Sequence, residues 1–280
     1  ACDSYRLRLQ EETRAICERL MQRVLDLHIV HALQGFRVNV HLGRRQVTAI
    51  FPTAEGPVPA PQPFGQESVE GGEVEQTDPA ALLRQPVALL ELMAYLAETD
   101  YTLEFGLSEA LSALVAEQRP PSDPLVLSTL TPQLNRIFSA PYTHRALGAL
   151  VAINDAFSEH TETLLGRYVP AYEGAMYLLR RVNGEQVPLH QHLLLCVEEG
   201  QVGLDWLAVR YPELHQMLRP QDVLALKWSL FLHGLGRLPQ QGGGAPLDSA
   251  TTAERGAVVL TELGYGDSTL EQTVRLLIEH

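Results

Sequence analysis

The segment Gln221 to Arg237 reads QDVLALKWSLFLHGLGR, and it limits the fold more than any other stretch of the chain. Val223, Leu224, Leu226, Leu230 and Phe231 recur at the three-and-four spacing of one helix face. Gly234 and Gly236 then break the helix. The spacing predicts a core helix with His233 at its end, where a side chain can look into a cleft.

The region before this helix changes character twice. Ser4 to Leu33 carries Leu7, Leu9, Ile16, Cys17, Leu20, Met21, Val24, Leu25, Leu27 and Ile29 between charges, which predicts a long packing helix. From Gly35 to Phe51 the period becomes two. Phe36, Val38 and Val40 alternate, Leu42-Gly43-Arg44-Arg45 turns the chain, and Val47, Ala49 and Phe51 alternate again, a hairpin pattern. Two strands alone are marginal, so they should dock on helices or pair with a further strand. Pro52 to Asp78 is rich in Pro, Gly and acidic residues and reads as a linker or long surface loop, with its acids solvated. Asp78 then caps and Pro79 opens a new helix.

Beyond it the patterns predict helices near 79–98, 107–118, 130–138, 142–157, 160–166, 170–182, 189–199, 203–209, 221–233, 250–263 and 269–280. Pro120-Pro121, Pro124, Pro141, Gly200, Pro212, Pro220 and Gly242-Gly243-Gly244 serve as breakers. No repeat period is visible, which argues against a solenoid. The organisation read from these signals is an N-terminal helix and β-hairpin over 1–51, a linker over 52–78, a helical region over 79–158 and a helical domain over 159–280.

With 280 residues and 45% hydrophobic content, the chain can build a real core. Its net charge of −13 disfavours nucleic acid, because neutralisation of phosphates by Lys and Arg supplies most of that affinity. It is equally ill-suited to an anionic membrane surface. No apolar run reaches the roughly 20 residues that span a bilayer, and no signal segment opens the chain, so a cytoplasmic location is expected. Cys2, Cys17 and Cys196 are widely spaced and odd in number, which implies neither a disulfide framework nor a CxxC metal pair. Cys17 and Cys196 read as core residues. Ala1 in place of an initiator Met, and a helical pattern running to His280, suggest an excised piece.

Three blocks occur in a telling order: Leu164-Leu165-Gly166-Arg167-Tyr168-Val169-Pro170, then Leu189-His190-Gln191-His192-Leu193, then Leu232-His233-Gly234-Leu235-Gly236-Arg237. The last resembles the metal-binding segment of HD phosphohydrolase domains, in which a hydrophobic residue is followed by His-Asp. The whole order, over roughly Ala80 to His280, resembles the HD region of the bifunctional uridylyltransferase and uridylyl-removing enzymes that modify the nitrogen-signalling PII protein. The resemblance implies a mainly α fold, an HD-domain-like helical bundle, with a PII-like protein as partner.

It also implies a ligand set. An HD site draws a first His from one helix, the adjacent His-Asp from a second, and a later Asp, because a divalent ion wants several N and O donors from different elements. The bound metal activates a water and polarises a phosphoryl oxygen. By position His192 matches the first ligand and His233 the second, while Gly234 stands where the Asp belongs. A further family His lies shortly before a Glu-x-Gly-Ala segment; here Thr252 precedes Glu254-Arg255-Gly256-Ala257. His280 matches a later His, and the last acidic position falls beyond it. Asp248, in the Gly242–Ser249 loop, is the candidate to replace the missing carboxylate. Glu198 and Glu199 are expected to face solvent.

Other sets fail on chemistry. The Gly242-Gly243-Gly244 run lacks the Lys-Ser/Thr of a P-loop. His28, His31 and His41 lack an acid or thiol to complete a set. The Gly-Ser segment and paired Asp residues that hold magnesium in the family's nucleotidyltransferase domain do not occur. The expectation is therefore a pseudoenzyme with a regulatory or binding role and no resident cofactor. Two alternatives stand beside it. One is a residual metal-dependent phosphohydrolase, using Mn, Fe, Zn or Mg, that removes a nucleotidyl group or cleaves a small nucleotide. The other is a helical protein-interaction module.

Overall fold

The structure, a computed structural model, describes residues 13–14, 28–33, 36–52, 86–115, 124–154, 163–176, 178–182, 185–235, 249–266 and 268–280. The period-two segments form antiparallel strands, β2 (Phe36–His41) and β3 (Gln46–Pro52). Phe36, Val38 and Val40 are buried on one face, as strand geometry requires of alternate residues. Two further strands complete the sheet. β1 (His28–Leu33) pairs antiparallel with β2, and β4 (Thr102–Leu103) pairs parallel with β3.

Strand β1 corrects the helix expected from Ser4 through Leu33. His28 to Leu33 carries the β-branched pair Ile29-Val30 without alternation, and pairing along the whole length of β2 outweighs a helical reading of six residues. His28 and His31, taken as neighbours on a helix face, therefore lie in a strand, with His28 opposite His41 in register and His31 opposite Val38. Thr13 and Arg14 are helical as expected; the other residues of the expected N-terminal helix, the acidic linker and the Asp78-Pro79 start lie outside the described residues.

The centre of the molecule is α1 (Pro86–Thr99), whose Leu89, Leu90, Leu92, Met93 and Leu96 are all essentially inaccessible. A helix apolar all round belongs in a core. It packs on α3 (Pro124–Ser139) and α4 (Thr143–Ala152), and α2 (Phe105–Val115) lies beside α4. The Leu164 to Pro170 block forms the short α5 (Leu164–Tyr168), and α6 (Pro170–Met176) follows. Thr163 caps α5: its hydroxyl accepts from the Gly166 amide at 3.0 Å and donates to Glu173 Oε1 at 2.8 Å. The Glu173 carboxylate fills the space where a side chain at 166 would begin, so Gly166 is required for this closure.

The helix expected over 170–182 stops at Met176. Leu179–Val182 and Glu185–Pro188 are instead an antiparallel pair, β5 and β6. The Asn183-Gly184 dipeptide between them is a strong hairpin signal. α7 (Leu189–Arg210) then runs unbroken for 22 residues, where two helices were expected on either side of Gly200. Glycine costs a helix interior about 1 kcal/mol. Here that is offset because Leu230 of the crossing helix occupies the space beside Gly200.

α8 (Pro212–Met217) is short and carries Pro212 in its first turn, where proline is tolerated. α9 (Pro220–Leu232) is the helix of the QDVLALKWSLFLH segment, with His233 as its C-cap. Its buried face is rotated from the expected one. Leu224, Ala225, Lys227, Trp228, Phe231 and Leu232 are buried, whereas Val223, Leu226 and Leu230 are only partly covered. Trp228 stacks on Phe138 of α3, ring centroids 3.6 Å apart. α10 (Ser249–Leu260) runs into a π-helical turn at Thr261–Tyr265, and α11 (Thr269–Glu279) ends the chain. No described helix is long and apolar enough to cross a membrane.

Candidate functional site

Three donors converge where α7 passes the end of α9. His192 and Cys196 are four residues apart on α7, hence on one face. His233 reaches them from the C-cap of α9. The Nε2 atoms of His192 and His233 lie 3.3 Å apart, and Cys196 Sγ is 3.5 Å from His192 Nε2. One ligand atom from each residue can be chosen so that all three fall within 4.8 Å of one another. All three side chains are partly exposed, so the site opens to solvent.

Local structure orients His233. Its Nδ1 lies 2.7 Å from the Leu230 carbonyl, one of the last carbonyls of α9 and without an intrahelical partner. Nδ1 therefore carries the proton and donates it to Leu230, which leaves Nε2 as the lone-pair nitrogen facing His192. Nearby His190 does different work. It packs edge-on to Tyr172, and burial holds it below the usual imidazole range.

The sequence pattern placed His192 and His233 together, and their imidazoles meet. It assigned Cys196 to the core, which is corrected: the thiol is partly exposed and joins the pair. The His-x-x-x-Cys spacing on a predicted helix was the signal that could have found it. Among the described residues, no carboxylate belongs to this cluster. Glu198 and Glu199 are exposed as expected, and Glu198 lies 3.8 Å from His144. His280 is exposed at the end of α11 and Thr252 is buried in α10; neither is part of the cluster. Asp248 lies outside the described residues.

Gly234 has a packing reason. A Cβ there would sit 2.8 Å from Leu193 Cδ2 and 2.9 Å from Leu189 Cδ1. Leu189 and Leu193 are buried at 1% and 0% exposure, so the position faces the apolar contact between α9 and α7.

Sequence reasoning also passed over Lys227, which is fully buried one helical face away. Its ammonium donates to the Ala140 carbonyl and lies 3.2 Å from Thr143 Oγ1. Burial pushes it down to about 8, against a weaker opposing pull from the Asp205 carboxylate. Compared with family models and with curated proteins, the chain gives no match.

Proposed function

We propose that the chain is an HD-like helical domain of the PII-uridylyltransferase type that works as a regulatory or binding module, with a PII-like protein as its partner, and that it has lost phosphohydrolase chemistry. The observation that carries this reading is the surroundings of position 234. The carboxylate that would give the family's metal its negative charge is replaced by a glycine packed against Leu189 and Leu193. A carboxylate grown from that backbone would begin among leucine methyl groups, where an ionised oxygen is strongly disfavoured. Two neutral imidazoles without a carboxylate make a poor home for the hard ions that serve phosphoryl chemistry.

The test is direct. The protein is incubated with Mn²⁺, first with a uridylylated PII-type protein and then with an activated phosphodiester, and product release is followed. No turnover above the metal-only background is expected. Metal-dependent release that disappears in His233→Ala would overturn the reading in favour of a residual hydrolase. That second reading draws on one observation, the 3.3 Å approach of the two Nε2 atoms.

A further inference from the structure

We infer that the outward face of α7, continued onto α8, is a docking surface for a basic amphipathic helix of a partner protein. This face points away from the contact between α7 and α9, so the loss of hydrolytic chemistry proposed above neither supports nor requires it.

A helix that borders solvent is normally polar on its outer side. α7 is not. Leu195, Val202 and Val209 recur every seven residues and Trp206 follows Val202 by four, which places all four on one side of the helix. They are exposed at 47%, 55%, 86% and 58%. Leu193, Val197 and Leu204 lie on the opposite side and are buried where α7 meets α4, α6 and α9. The helix is therefore apolar on two opposed faces, and no described element covers the outer one. α8 packs beside the end of α7 and extends the surface with exposed Leu214 and Met217. An apolar surface this continuous marks an interaction site, whereas isolated exposed side chains do not.

The shape selects a helix. From Leu195 to Val209 the stripe runs about 21 Å along the rod, close to four turns. Side chains spaced by three, four and seven form ridges that fit the grooves of a second helix laid alongside. Trp206 supplies the anchor. Its ring meets that of Tyr211 edge-on, centroids 5.4 Å apart, so the indole is held in place before anything binds.

Charge selects a basic one. Glu198 and Asp205 border the stripe on one side and Glu199 on the other, with Glu213 at the tip; all four are exposed, and Arg210 is the one Lys or Arg of α7. A second copy of the chain is a poor occupant, because two copies would bring together twice these four acids and only two arginines, on molecules that each carry a net charge of −13. Lysines or arginines flanking an apolar stripe would instead meet the acids on both borders.

The test titrates the 280-residue protein with a synthetic helical peptide of about 18 residues, leucine along one face and lysine elsewhere, long enough to span the stripe. A second peptide carries glutamate in place of lysine. The chain has two tryptophans and Trp228 is sealed, so a blue shift of the emission reports Trp206. The lysine peptide should bind one to one with that shift, more weakly at high salt, and the glutamate peptide should bind about tenfold less tightly or worse. Val209→Asp should weaken the lysine peptide by about tenfold or more, and Glu199→Lys by a smaller factor, with the thermal midpoint unchanged because both side chains are exposed. Equal binding of the two peptides, or binding undiminished in Val209→Asp, would overturn the assignment. So would a dimer in sedimentation that Val209→Asp disperses, which would give the face to a second copy, or a blue shift with neutral phosphatidylcholine vesicles, which would give it to lipid.

Discussion

Lys227 and His233 lie less than two turns apart on α9, and the fold treats their nitrogens in opposite ways. Lys227 is sealed. Its ammonium sits where α3 ends, on the Ala140 carbonyl and beside the Thr143 hydroxyl, which itself lies 2.8 Å from the carbonyls of Ile137 and Ala140. The last carbonyls of a helix lack intrahelical partners and carry partial negative charge, so a cation there serves as a cap donated from another helix. His233 is open. One of its nitrogens is fixed by its own helix, and the other is presented to His192 at a partly exposed position. The difference separates a nitrogen sealed into packing from one that meets a second imidazole at a partly exposed position, and burial of the surrounding atoms tells them apart better than residue type does.

The sharpest way to break this contrast is to place an acid beside His233 at position 234. Gly234→Asp should cost about 4 kcal/mol, because the carboxylate would be forced between Leu189 and Leu193. Urea denaturation measures it. A variant as stable as the parent, or one that gains Mn²⁺-dependent phosphodiesterase activity, would show that position 234 opens onto the site after all.

At the sealed end, Lys227→Ala should cost about 3 kcal/mol through the cavity it leaves and the donor it removes from Ala140. A thermal or urea midpoint close to that of the parent would mean that the lysine is not the cap described above.

The same lysine makes a pH prediction. Its folded pKa is about 8, below the ordinary 10.5, so the unfolded chain holds the proton more tightly. Stability linked to this group is fully present above about 10.5 and is lost as pH falls through about 8. Between pH 8 and 10 stability should therefore rise, by at most about 1.4 kcal/mol per unit. Above that window, burial raises Tyr168, Tyr172 and Tyr265 and reverses the trend, because their ionisation favours the unfolded chain. Lys227→Met should flatten the rise, and a rise of undiminished slope in that variant would assign it to another group.

The smallest effect belongs to the open end. His233→Ala in metal-free protein should cost below about 1 kcal/mol, since the Leu230 carbonyl it releases lies on a partly exposed turn that water can reach. A loss several times larger would place His233 with Lys227, among the residues that hold the fold.

How far the sequence exposed these features depends on the range of the forces behind them. The existence of the 221–233 helix and the buried face of Phe36, Val38 and Val40 were readable from local apolar repeats, whereas the face that the helix buries was not, because residues on nearly all its sides are apolar. Strand β1 was not, since its identity comes from pairing with β2. Gly200 and Gly234 looked like helix breakers, yet Gly200 lies inside α7, and both are matched to leucines on a crossing helix. No local rule contains those partners. The histidine pair was found through block order, and Cys196 was missed because a thiol among leucines has the same local signature whether it points inward or toward two imidazoles. Lys227 was invisible for the converse reason: a single lysine in a helix is ordinarily solvated, and only the end of α3 makes this one a cap.

The unbroken length of α7 has a mechanical consequence. At about 1.5 Å per residue, Arg210 stands about 21 Å along the rod from Cys196. A tilt of roughly 5° at the His192 end would sweep the far tip through about 2 Å. That tip carries the exposed side chains of Trp206 and Val209, and just beyond it Leu214 and Met217 of α8 are exposed as well. A change too small to disturb the leucine contacts at one end is thus magnified at the other, as in a lever whose fulcrum is the crossing with α9.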